Sequence, residues 1–74
     1  MKVAMIGFSG TITELHYLRE LIGALLGKSE VSQISLALPE YSSAAGLPTG
    51  IWINKFPFPI SLPKAMIKAL DPLL

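Results

Sequence analysis

The feature that most constrains the fold is a short apolar run that ends in a glycine turn and is followed at once by a helix start. Residues 3–8 are apolar throughout, and a run of this kind predicts a strand buried on both faces of a parallel sheet. The turn at residues 7–10 then leads into a helix, because Thr11 and Glu14 have the spacing of a capping box. In that motif the threonine oxygen accepts an orphan N–H and the glutamate returns to the cap. The chain therefore begins as strand, turn and helix.

The first helix carries one apolar stripe. Its members recur at three- and four-residue spacing, which is the period of a helix face: Ile12, Leu15, Leu18, Ile22, Leu25 and Leu26. Gly27 is expected to end the helix in the left-handed conformation, followed by Lys28, which complements the helix dipole.

The rest of the chain predicts two further strands and a second helix. Residues 31–38 form a strand that ends before Pro39, and residues 41–50 are a loop. Residues 51–56 form a third strand, which either ends at the prolines that follow or lies at an edge of the sheet. Ser61 is the expected N-cap of a short helix that runs to Leu70. The order strand-helix-strand-strand-helix predicts an α/β protein with a right-handed βαβ unit on a mostly parallel sheet.

Composition excludes several classes of protein. The 74 residues are 51% hydrophobic and 15% charged, with no cysteine and a net charge of +1. A disordered chain, a disulfide scaffold and a nucleic-acid-binding protein would each need a different balance. Charged residues usually make up roughly 25% of a soluble domain. Residues 1–74 are therefore expected to form one unit with more apolar surface than it can cover, so that further chain or a partner lies against it.

Location and cofactors are constrained only by what is missing. The lack of cysteine is compatible with the cytoplasm, and no uncharged segment reaches the 18 residues of a membrane span. A metal site is not expected, because His16 is the sole histidine and no other ligand stands at a suitable spacing. No cofactor and no set of catalytic residues is predicted.

The turn after the first strand is the candidate binding site. Ligands of open α/β sheets bind beyond the carboxyl ends of the strands, where a helix N-terminus offers N–H groups to an anion. Gly7 and Gly10 would allow the backbone to approach a phosphate or a sugar, although such a turn also needs glycine for its own geometry. His16 lies in the second turn of the helix and is expected either to reach back over the crevice or to remain a solvated histidine.

A second surface is weakly basic and apolar. It is expected to be ordinary core, with contact to a membrane surface or a partner as the alternative; its residues are Phe56, Phe58, Lys64, Met66, Ile67 and Lys68.

The whole chain resembles the start of a family-4-type, retaining glycosyltransferase with the GT-B fold. The resemblance is carried by residues 1–7, the turn ending in Gly10, the helix over residues 13–25, residues 38–40 and residues 62–70. It implies an incomplete, Rossmann-like N-terminal half-domain. Ser9 stands where the family usually has the first of two glycines, and the C-terminal nucleotide-binding domain is absent.

The resemblance also implies a site. In the family this turn lies at the interdomain cleft, so Gly10 and Thr11 would contact a nucleotide-sugar donor, with His16 as a further candidate. The chain alone is then expected not to transfer sugar, and nucleotide sugar and acceptor would be partners only with the rest of the enzyme present. The alternative is a non-catalytic α/β module that pairs with itself or with a partner chain.

Overall fold

The computed structural model describes residues 1–9, 11–44 and 46–74. Its elements confirm the predicted order and are β1 (Lys2–Ile6), α1 (Ile12–Leu26), β2 (Gln33–Pro39), β3 (Trp52–Phe56), α2 (Leu62–Leu70) and a 3-10 turn (Asp71–Leu73). No helix formed by the described residues is long and apolar enough to cross a membrane.

The three strands form one parallel sheet in the order β1-β2-β3. Ile6 is level with Ala37 on one side of β2, and Phe56 is level with Pro39 on the other. β2 is the central strand, and residues 34–39 of it are all buried. This α/β architecture is consistent with a partial Rossmann-like fold.

The two helices cover opposite faces of the sheet. On one face Leu18 and Ile22 of α1 pack against the side chains at positions 34, 36 and 38 of β2. On the other face Ala65 and Ala69 of α2 form a core with Ala37 and Phe56. Alternate residues of β2 therefore serve two separate cores, because successive side chains of a strand point to opposite faces.

The prediction that the first strand is buried on both faces was wrong. β1 ends at Ile6, directly before the predicted turn, but its Lys2 and Ala4 are exposed while Val3 and Met5 are only partly buried. The reason is position in the sheet: within the described residues, β1 pairs with β2 alone. The fully buried strand is β2, which has a neighbour on each side.

Several predictions at the ends of elements were also wrong. Ile12 is 75% exposed and Leu26 42% exposed, because they are the first and last residues of α1 and lie beyond the part of the helix that packs on β2. Gly27 ends α1 as predicted but with φ −79°, which is not left-handed. β2 includes Pro39, and the Glu40 N–H donates to the Phe56 carbonyl at 2.8 Å, so pairing continues past the proline.

The basic apolar surface is not core. Of its members only Phe56 is buried, whereas Phe58, Met66 and Ile67 are 46% to 64% exposed. Ala65 and Ala69 occupy the face of α2 that packs on the sheet. The larger apolar side chains of that helix are therefore left outside.

Candidate functional site

The candidate site is the carboxyl edge of the sheet, where all three parallel strands end. β1 leads into the turn at residues 7–9, and α1 begins directly after Thr11. β2 is followed by Glu40 and Tyr41, and Lys55 and Phe56 are the last two residues of β3. Parallel strands place these segments at one edge because each strand runs in the same direction.

Thr11 caps α1 as the sequence predicts. Its backbone is extended and its hydroxyl accepts the Glu14 N–H at 3.2 Å. The Thr11 N–H donates to the Ser9 hydroxyl at 3.4 Å, and the two hydroxyl oxygens lie 3.1 Å apart. The Thr11 side chain thus belongs to a local network and is also exposed to solvent.

Glu14 departs from the predicted capping box in an informative way. Its Oε2 accepts the N–H groups of both Phe8 and Ser9, each at 3.2 Å. A carboxylate at the amino end of a helix is favoured by the helix dipole. These turn amides, which would otherwise be available to an external anion, are therefore already bonded to an anionic side chain.

Gly7 is required by close packing. A Cβ atom at this position would lie 2.7 Å from Leu38 Cδ2, 2.9 Å from Glu14 Oε1 and 3.1 Å from Leu18 Cδ1. The glycine therefore lets the turn lie directly on the core and on the Glu14 carboxylate.

Aromatic side chains border the turn. The Tyr41 hydroxyl donates to the carbonyls of Phe8 and Ser9 at 3.4 and 3.2 Å. Its ring meets Phe58 edge-on, with centroids 5.7 Å apart, while Phe8 lies 6.1 Å from Phe56. Tyr41 thus joins the end of β2 to the turn after β1, and it is 59% exposed.

Lys55 and Ser42 complete the polar part of this edge. The Lys55 ammonium donates to the Ser42 carbonyl, which holds the lysine against the segment after β2. The Ser42 side chain is only 4% exposed, and its hydroxyl has no hydrogen-bond partner among the described residues.

Thr11 and His16, the two predicted site residues that the structure describes, do not lie in one cluster. Thr11 is at the turn, whereas Gly10 lies outside the described residues. His16 lines a cavity of about 180 Å³ together with Ile12, Leu15, Arg19, Gly46 and Leu47. Since none of these belongs to the turn, His16 faces a different part of the surface from Thr11.

The sequence predicts Glu14 as part of the helix cap, but it indicates neither the bonds of Glu14 to the turn amides nor the contact of Tyr41 with the turn. In a capping box the glutamate bonds the N–H of the N-cap residue, whereas Glu14 bonds amides that precede the N-cap. A tyrosine in a loop gives no indication in the sequence of which turn it will contact. Among the described residues, no group of three or more metal-binding side chains is close enough to hold a metal ion.

Comparison of the chain with models of protein families, with curated proteins and with solved structures finds no match.

Proposed function

We propose that this chain is the first, incomplete half of the N-terminal Rossmann-like domain of a family-4-type, retaining GT-B glycosyltransferase. The observation that carries the proposal is the carboxyl edge, where a glycine turn and the amino end of α1 meet the ends of two further parallel strands. Ligands of open α/β sheets bind at this edge. The resemblance over residues 1–70 supports the same assignment.

In this proposal the turn contributes contacts and not the transfer step. Gly10 and Thr11 would contact the diphosphate or sugar of a nucleotide-sugar donor in the cytoplasm. Sugar transfer would need the nucleotide-binding C-terminal domain, so residues 1–74 by themselves would be inactive. His16 would be a further, weaker contact from its own cavity.

Glu14 sets the condition under which the turn can bind an anion. Its carboxylate holds the Phe8 and Ser9 N–H groups, and a diphosphate would compete with it for them. A carboxylate beside a diphosphate is also unfavourable because both are negative. Binding is therefore expected to be weak, and stronger when the Glu14 charge is removed.

The test is a titration of the ¹⁵N-labelled chain with uridine diphosphate glucose, followed by amide chemical shifts. We expect shifts centred on Ser9 and Thr11, with a dissociation constant of about 1 mM. Glu14→Gln should lower that constant about two- to fivefold, matching 0.3–1 kcal/mol of charge–dipole energy. Glu20→Gln removes the same charge from an exposed position of α1 and should leave the constant unchanged. Absence of shifts at Ser9 and Thr11 in all three proteins would refute the assignment.

A second candidate function is a non-catalytic interaction module, and one observation favours it. β1 is an edge strand, and the exposed apolar side chains of α2 include Leu62, Met66 and Leu70. An unpaired, apolar edge is a template for another strand. Such a module would act by adding a partner to its sheet.

A further inference from the structure

The unpaired side of β1 presents a regular set of hydrogen-bonding groups. The Met1 carbonyl accepts the Ser32 N–H at 2.8 Å, and the Gly7 N–H donates to the Ala37 carbonyl at 2.9 Å. Both residues therefore direct backbone groups toward the β2 side. In a parallel ladder successive residues alternate between the two sides of the strand, so the N–H and C=O groups of Lys2, Ala4 and Ile6 point away from β2.

Side chains above and below this edge are apolar. Ala65 and Ala69 of α2 pack on the sheet. The Asn54 side chain of β3 donates to the Lys68 carbonyl at 3.0 Å, so the side of α2 that carries Lys68 faces β3. At 100° per residue the flank toward β1 then carries Leu62, Met66 and Leu70, which are 44% to 55% exposed.

The flank of α1 toward β1 is apolar as well. Its opposite flank is occupied by His16 and Arg19 beside Leu47 of the loop that leads to β3. The flank toward β1 therefore carries Tyr17 and Leu21, which are 66% and 36% exposed. The β1 edge is thus a slot with an apolar wall on each side.

The edge of β1 lacks the devices that protect an edge strand. β3, the other edge, carries Asn54 and Lys55 and is followed by two prolines, all of which discourage pairing. β1 has one charged side chain, Lys2, and its ammonium is already bonded to the Leu73 carbonyl at 2.8 Å. Pairing is therefore expected at β1 and not at β3.

We propose that the β1 edge binds the β1 edge of a second copy of this chain, forming a two-fold symmetric dimer with one continuous six-stranded sheet. The proposal rests on the second candidate function and names its partner. Antiparallel pairing with Ala4 opposite Ala4 of the partner subunit brings Lys2 opposite Ile6 of the partner subunit. Every outward N–H and C=O of both strands then has a partner, which is the self-complementarity that a two-fold interface needs.

Side chains and charges suit this register. Ala4 is small, so the two copies of α2 can approach across the axis with apolar flanks in contact. The Met1 ammonium at the amino end of β1 would lie across from Gly7 of the partner subunit, and the Glu14 carboxylate lies directly beside that glycine. The two-fold axis repeats this pair of opposite charges at the other end of the paired strands, and a net charge of +1 per chain gives little repulsion between the copies.

Sedimentation equilibrium of the full chain between about 1 μM and 1 mM tests the proposal. The expected result is a reversible monomer–dimer equilibrium. Ala4→Lys places like charges opposite each other at the axis and should raise the dissociation constant about tenfold or more. Thr49→Lys adds the same charge in the exposed loop that leads to β3, away from β1, and should leave that constant unchanged.

Ala4→Pro provides a second variant, because it removes an outward N–H while leaving the ladder to β2 intact. It should give a folded monomer, as judged by circular dichroism. A monomer at all concentrations, assembly beyond the dimer, or a dimer insensitive to both Ala4 variants would overturn the proposal. Sugar-nucleotide binding involves a different edge of the sheet, so a failure in either experiment leaves the other result unaffected.

Discussion

At the scale of single residues, the turn after β1 packs so closely on the core that a side-chain atom added at Gly7 would force its neighbours to shift. Gly7 lies within van der Waals reach of the core through Leu38 and Leu18, and of the Glu14 carboxylate. Gly23 is the opposite case: it lies in the middle of α1 and a Cβ there would meet nothing within 4 Å. Substituting Gly7 therefore tests close packing, whereas substituting Gly23 tests only the conformational freedom of the backbone.

Gly7→Ala should lower the free energy of unfolding by about 1–3 kcal/mol, because the new methyl group overpacks the turn. Gly23→Ala should raise it by about 0.5–1 kcal/mol, because alanine restricts the unfolded chain and favours the helix. Urea denaturation at one fixed protein concentration measures both. Equal effects of the two substitutions would mean that Gly7 is not packed as described.

At the scale of elements, α1 begins through two side chains with separate tasks. Thr11 accepts an N–H of the first helical turn, whereas Glu14 holds the turn that precedes the helix. The cap of α2 is weaker, because Ser61 makes no side-chain cap hydrogen bond. The start of α1 is therefore fixed both by capping and by its attachment to β1.

Thr11→Ala should destabilise the protein by about 1 kcal/mol, the usual cost of losing a threonine N-cap. Thr13→Ala changes an exposed threonine two residues further along, inside the first turn of the helix. It should alter the free energy of unfolding by less than about 0.5 kcal/mol. Urea denaturation of the two variants provides the comparison. A similar loss in both would show that the hydroxyl of Thr11 does not cap the helix.

The sequence predicted the kinds of elements and their order better than their surroundings. Periodicity identified α1, and the prolines after Phe56 marked the end of β3. Local pattern could not distinguish which apolar strand would have two neighbours, so β1 was expected to be buried and β2 was not singled out. For the same reason the exposure of Met66 and Ile67 and the contact of Tyr41 with the turn depend on the assembled sheet and were not predictable.

At the scale of the whole molecule, the low proportion of charged residues corresponds to apolar surface that is exposed beside β1. The apolar side chains that the chain leaves uncovered include two stripes, one on each helix, that flank the unpaired side of β1. Backbone groups that point into such a slot are costly unless they are bonded. The central claim is therefore that β1 pairs with β2 on one side and is open on the other until a partner strand arrives.

Residue-resolved hydrogen exchange of β1, read by mass spectrometry on the dilute chain, tests that claim most directly. The amides of Met5 and Gly7 should exchange at least about tenfold more slowly than those of Ala4 and Ile6, since only the former face β2. Raising the concentration should slow Ala4 and Ile6 as the dimer forms. Equal protection of all four amides at dilution would contradict the open edge, and rapid exchange of Met5 and Gly7 would contradict the pairing of β1 with β2.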